Sequence, residues 1–200
     1  MPRDVQKLLR EAERRIRKFQ RDAHLPAFVP SDFACVWNVL RAFAAAELTP
    51  GRLFCEWGSG FGVIACMAAM LDFDAFGIEV EGELVDEARR LADDFGLPVE
   101  FAHGSYLPNG TRADGEYAWL STDAADAHEE LGLDADDFGV IFAYPWPDEE
   151  GLTERIFEQH AAAGAVLVTY HGGDDFRLRR LVADRRSARR ARRSSIGRST

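Results

Sequence analysis

Residues 54–62 read Phe-Cys-Glu-Trp-Gly-Ser-Gly-Phe-Gly, a carboxylate followed by three glycines at alternate positions. Leu53 to Trp57 reads as a buried strand, Gly58, Gly60 and Gly62 as a tight turn, and Val63 to Leu71 as an apolar, Ala-rich helix. Glycines let a ligand approach the backbone, and a helix start presents free N–H groups, so this order makes a nucleotide-binding loop. A second carboxylate, Glu79, ends the next apolar run, 21 residues after Gly58. That is the place for an acid that accepts ribose hydroxyls, and an ionised carboxylate can take both. An NAD-type fingerprint, G-x-G-x-x-G/A, needs a small third residue; counting from Gly58 puts Val63 there.

These residues need a scaffold, and the pattern along the chain supplies one. Strands are predicted at about 52–57, 73–79, 98–103, 138–143 and 165–170. Helices are predicted at 62–71, 81–95 and 149–163, with an acidic helix near 123–131. Gly96 stops the second of these helices. The alternation implies a three-layer, doubly wound, mostly parallel sheet. Upstream, residues 3–22 carry an apolar stripe (Val5, Leu8, Leu9, Ala12, Ile16, Phe19) opposite a basic face, expected to pack on the domain. Pro26 and Pro30 bracket a linker. Ser31 or Asp32 caps a helix bearing Phe33, Val36, Trp37, Leu40 and Phe43, which Pro50-Gly51 ends. Asp174 to Ala183 reads as one last helix. The expected organisation is 1–50 as N-terminal helices with a linking segment, whose lid role is what the resemblance given below implies, 51–183 as the doubly wound domain, and 184–200 as a disordered Arg-rich tail.

A doubly wound sheet binds ligands beyond the carboxyl ends of its strands, and those ends hold informative residues. They are Glu56 with the glycine loop, Glu79-Val80, His103-Gly104-Ser105-Tyr106, Tyr144-Pro145-Trp146-Pro147 and Tyr170-His171-Gly172-Gly173. E-x-G-x-G-x-G resembles motif I of class I S-adenosylmethionine (SAM) methyltransferases, and the plan matches from about residue 52 to 171. The resemblance implies SAM as cofactor. Glu56, Gly58, Ser59 and Gly60 would surround its methionine part, Glu79 its ribose and Val80 its adenine, with Gly104 and Ser105 at the adenine edge. Many family members have Asp where Ser105 stands. Family members acting on nucleobase amino groups carry [N/D]-P-P-[Y/F/W] after strand four; here Ala143 or Tyr144 takes the Asn/Asp place, so the polar acceptor is missing. Tyr144 and Trp146 either wall a pocket for an amine or sulfonium through cation–π contact or pack as core. His171 is either a general base or a hydrogen-bonded wall. Phe28-Val29-Pro30-Ser31-Asp32 is similar to the segment that folds over the SAM pocket in small lysine methyltransferases related to the ATP-synthase c-subunit enzyme. Family members usually finish with an antiparallel hairpin; the Arg-rich end of this chain reads poorly as one, so a sheet of about five strands is expected.

Charge and composition narrow the partners. The chain has 200 residues, 46% of them hydrophobic, and a net charge of −10, distributed as +5 over 1–21, −24 over 22–175 and +9 over 176–200. An acidic body disfavours a phosphate-tracking groove and favours cationic ligands and basic proteins, or simply solubility. Nucleic acid is left to the basic termini, and an exposed sheet edge invites pairing with another chain. Cys35, Cys55 and Cys66 have no metal-like spacing and read as buried thiols of a reducing cytoplasm. The N-terminus is a charged helix pattern rather than a signal peptide. No apolar run approaches the roughly 20 residues of a membrane span. The functional expectation is a cytoplasmic methyltransferase with an amine of a protein (Lys) or small molecule as acceptor. The alternatives are a non-catalytic SAM-binding module, a nucleic-acid methyltransferase, and an NAD oxidoreductase, for which no Tyr-x-x-x-Lys pair exists.

Overall fold

Continuous apolar strands can be buried on both faces only if helices cover both, and the computed structural model shows this arrangement. It describes residues 1–22, 29–46, 49, 51–107 and 126–182; the expected disordered tail and most of the poorly patterned stretch after strand three lie outside these. The elements are α1 (Arg3–Asp22), α2 (Phe33–Ala45), β1 (Leu53–Trp57), α3 (Val63–Ala69), β2 (Asp74–Glu79), α4 (Gly82–Phe95), β3 (Val99–His103), α5 (Ala127–Leu131), β4 (Val140–Ala143), α6 (Glu150–His160), β5 (Val166–Tyr170) and β6 (Phe176–Arg180). They build a six-stranded sheet in the order β3-β2-β1-β4-β5-β6, parallel except for β6. Order reverses between β1 and β4, and a doubly wound sheet opens its ligand crevice at such a reversal.

Alternate side chains of each strand feed two cores. Phe54, Val140, Phe142 and Val168 pack with α1, α2, α3 and α4. Cys55, Trp57, Ile141 and Leu167 pack with α5 and α6. The predicted stripe of α1 is buried at Val5, Leu8, Leu9, Ala12 and Ile16, so this helix belongs to the domain and does not float on it. Asp32, rather than Ser31, caps α2: its Oδ1 accepts the N–H groups of Ala34 at 3.0 Å and Cys35 at 3.1 Å. Cys55 and Cys66 are buried as expected, and burial pushes the Cys66 thiol up to about 12. Cys35 differs, being half-exposed. Among the described residues, no helix is long and apolar enough to cross a membrane.

The five-strand expectation is corrected. Phe176–Arg180 is a strand and not part of a helix, and it pairs antiparallel with β5 from Tyr170↔Phe176 to Val166↔Arg180. The terminal hairpin is therefore present. Its stabilisation comes from elsewhere in the chain. Arg177 donates to Glu150 at 2.8 Å and Arg179 to Glu154 at 2.6 Å and also to Glu158. Residues 177 and 179 share one face of a strand, and 150, 154 and 158 share one face of a helix. Each exposed pair is worth little, about 1 kcal/mol or less. The backbone ladder and the Phe176–Tyr170 ring contact (4.8 Å) complete the attachment.

Candidate functional site

The carboxyl ends of β1, β2, β4 and β5 converge on a cavity of about 690 Å³, within the roughly 300–1,000 Å³ of small-molecule sites. All eleven residues expected from sequence line it: Glu56, Gly58, Ser59, Gly60, Glu79, Val80, Gly104, Ser105, Tyr144, Trp146 and His171. Val29, Pro30 and Ser31 of the proposed lid segment also border it.

The two carboxylates frame the glycine turn. Glu56, in β1, is buried, and its Oε2 accepts the N–H of Ala65 at 2.9 Å. Glu79, ending β2, accepts the N–H of Gly60 at 2.8 Å and of Glu81 at 3.0 Å, so it holds the loop as well as facing the cavity. Burial raises both carboxyls above the ordinary glutamate value; each is then pulled part of the way back by the backbone N–H groups it accepts. Neither carboxylate has an ion-pair partner among the described residues.

A carboxyl whose pKa is raised on folding binds its proton more tightly in the folded state. The folded protein therefore loses stability as pH rises from the ordinary value of 4.5 through the raised one. Melting of the ligand-free protein from about pH 5 to about pH 8 should show this fall. Glu56→Gln should flatten it; an identical slope in the variant would remove Glu56 from the account.

Two polar groups of the cavity wall are free to bond a ligand. The Ser59 hydroxyl and the Trp57 indole N–H are buried with no hydrogen-bond partner among the described residues, and both residues line the cavity. Buried polar groups are rarely left so. At Gly58, φ is +71° and an added Cβ would meet nothing within 4 Å. Ser105 accepts the Leu107 N–H at 3.1 Å through Oγ.

The far end of the cavity is aromatic and acidic. Tyr144 and Trp146 follow β4, and Trp146 is 43% exposed. His171 has both ring nitrogens engaged, with Thr169 Oγ1 at 2.8 Å and Glu150 Oε1 at 2.9 Å. Both hydrogen bonds fix the orientation of the ring. Burial works to raise the Glu150 carboxyl, but His171 and Arg177 outweigh it and hold it low. Sequence reasoning missed Tyr106, Glu149, Glu150 and Thr153. Tyr106 stacks on Trp57 (4.8 Å, 9°); its position right after Gly104-Ser105 was the one available signal. Five glutamates and no lysine or arginine line the cavity among the described residues. No cluster of metal-ligating side chains occurs among them either.

No protein-family model matches the chain, and no curated protein matches it. Solved structures do. An RNA methyltransferase from Salinibacter ruber in complex with S-adenosyl-L-homocysteine aligns with a TM-score of 0.52 at 21% identity, over 73% of this chain and 80% of that one. This chain has the class I methyltransferase fold. The O-methyltransferase TomG from Streptomyces achromogenes, in complex with SAM, aligns equally well (TM-score 0.52, 18% identity, 84% of this chain, 65% of that one). So does a methyltransferase from Geobacter sulfurreducens (0.52, 15%, 84% and 73%). At such identities the likeness is one of methyltransferase fold, and the acceptor does not come with it.

Proposed function

We propose that the protein is a SAM-dependent methyltransferase acting on an amine, either of a protein lysine or of a small molecule. The observation that carries this reading is the pair of buried, cation-free carboxylates, Glu56 and Glu79, on either side of the glycine turn. SAM brings an ammonium group and a sulfonium, which suit an acidic cavity, and ribose hydroxyls, which suit Glu79. Glu56 and the Gly58–Gly60 backbone would hold the methionine end, with the unpartnered Ser59 hydroxyl beside them. Val80, Gly104 and Ser105 would bound the adenine. That methyltransferases of this fold are crystallised with SAM or its demethylated product supports the cofactor.

SAM supplies an already activated methyl group. The protein's work is to align the acceptor nitrogen and exclude water, for which no dedicated base is required. This suits a site where His171 is fully hydrogen-bonded. The absence of Asn or Asp at the end of β4, together with a lining free of lysine and arginine among the described residues, weighs against a nucleobase acceptor.

Incubation with methyl-labelled SAM and a panel of basic proteins, peptides and alkylamines tests the reading. Label on an amine nitrogen is expected. SAM binding without transfer to any amine would favour a non-catalytic SAM-binding module instead.

The N-terminal helix should matter to the cofactor. Phe19 of α1 meets Phe61 of the glycine loop edge-on (5.4 Å, 85°), and Phe61 lines the cavity. Losing such an aromatic pair costs roughly 0.5–1.5 kcal/mol. Phe19→Ala should weaken SAM binding by about three- to tenfold; unchanged affinity would show that α1 does not brace the loop.

A further inference from the structure

The cavity has two acidic ends, and only one is accounted for by the cofactor. Glu56 and Glu79 sit by the glycine turn, and Glu81 is an exposed residue at the rim before α4. At the other end, Glu149 and Glu150 begin α6, directly after the aromatic segment that follows β4. Glu150 already has a counter-charge in Arg177 at 2.8 Å, and it also shares a hydrogen bond with His171 at 2.9 Å. Glu149 is not. Its Oε2 accepts the Trp146 backbone N–H at 3.3 Å, and no cation pairs with it among the described residues. It is half-buried, and that burial, together with the neighbouring Asp148, raises its carboxyl despite the Trp146 hydrogen bond.

Around Glu149 are groups that suit a cationic amine on an organic stem. Tyr144 and Trp146 line the same cavity, and such aromatic rings attract cations. Thr153, one helical turn on, is buried, and its hydroxyl donates to the Glu149 carbonyl at 3.1 Å. The Tyr106 hydroxyl lies 3.4 Å from that Thr153 oxygen. Tyr106 stacks on Trp57, whose unpartnered indole N–H is left to donate to an oxygen or nitrogen of whatever fills the cavity. A half-desolvated carboxylate without a counter-charge is costly to keep, and an ammonium group arriving from solvent relieves that cost.

We infer that Glu149 is the specificity-determining anchor of the acceptor subsite, binding the protonated amine of a cationic alkylamine between itself and the Tyr144/Trp146 rings. This rests on the methyl-transfer reading of the cavity and adds to it the residue that selects the acceptor. The role is one of recognition. The acceptor's charge places its nitrogen at the end of β4, beside the space left for the cofactor, and the bound ammonium gives up its proton to water before the freed lone pair takes the methyl group.

The test uses the full chain and two probes that share their side-chain carbons and differ in the terminal ammonium, Nα-acetyl-lysine methylamide and Nα-acetyl-norleucine methylamide. Binding of each is measured by calorimetry on wild type and on Glu149→Gln, which keeps an oxygen for the Trp146 N–H. The wild type should bind the lysine probe at least about tenfold more tightly than the norleucine probe, the scale of a charge-assisted contact. Glu149→Gln should abolish that preference, leaving norleucine binding unchanged and the melting temperature no lower. A wild type without the preference, or a variant that keeps it, would overturn the inference. SAM is titrated into both proteins as well. Normal SAM binding with no lysine preference would sink Glu149 alone. A lysine preference with no SAM binding would sink the methyltransferase reading and leave an amine-binding cavity.

Discussion

Glu79→Ala is expected to weaken SAM binding by roughly ten- to a hundredfold, the loss of about 1.5–3 kcal/mol that follows removal of a charged hydrogen-bonding partner. Two effects combine. The carboxylate that would accept the ribose hydroxyls is gone, and so is the group that fixes the loop through Gly60 N–H at 2.8 Å and the start of α4 through Glu81 N–H at 3.0 Å. Glu79→Gln separates them. The amide keeps an acceptor oxygen for one backbone N–H but loses the charge and one acceptor, so its affinity should fall between those of wild type and alanine. Calorimetric titration checks both, and melting curves show whether the fold survives. Affinity unchanged in Glu79→Ala would remove this carboxylate from the cofactor site.

The second large effect is on stability. Gly62, the residue before α3, has φ of +65°, and a Cβ there would lie 2.3 Å from Cζ of Phe101 and 2.9 Å from Cβ of Ala88. Phe101 is 5% exposed and packed in the core, so the ring has little room to move. Gly62→Ala should therefore cost the left-handed conformation, about 1–2 kcal/mol, and overpacking of a further 1–3 kcal/mol. Gly58→Ala is the matched control. Its φ of +71° is similar but its Cβ would meet nothing within 4 Å, so only the conformational cost of about 1–2 kcal/mol applies. Chemical denaturation should rank wild type above Gly58→Ala above Gly62→Ala. Equal losses in the two variants would contradict the packing seen around Phe101.

What the sequence reveals here follows the range of the interaction. The glycine loop is legible because strand, turn and helix lie within residues 53–71 and each carries its own local signal. Glu79 is legible because its distance from Gly58 is set by one strand–turn–helix–turn–strand unit. The buried face of α1 is legible from its 3.6-residue stripe, but its contact with Phe61 is not. β6 is illegible for the same reason in stronger form. Phe-Arg-Leu-Arg-Arg has few β-formers, and what holds it is a ladder to β5 and glutamates some 20 residues upstream on α6. His171 is likewise ambiguous in sequence. Its surroundings are set by Glu150, a partner that only the fold brings within 2.9 Å. Glu149 escaped notice because a carboxylate at a helix start reads as an ordinary dipole partner, and only the cavity shows which neighbour, Glu150, already has its counter-charge.

The most direct measurement is calorimetric titration of the wild-type protein with SAM and, separately, with NAD. The structure predicts saturable one-to-one binding of SAM and none of NAD. Absence of SAM binding, or equal binding of NAD, would contradict the central claim that Glu56, Glu79 and the turn between Gly58 and Gly62 form a SAM site.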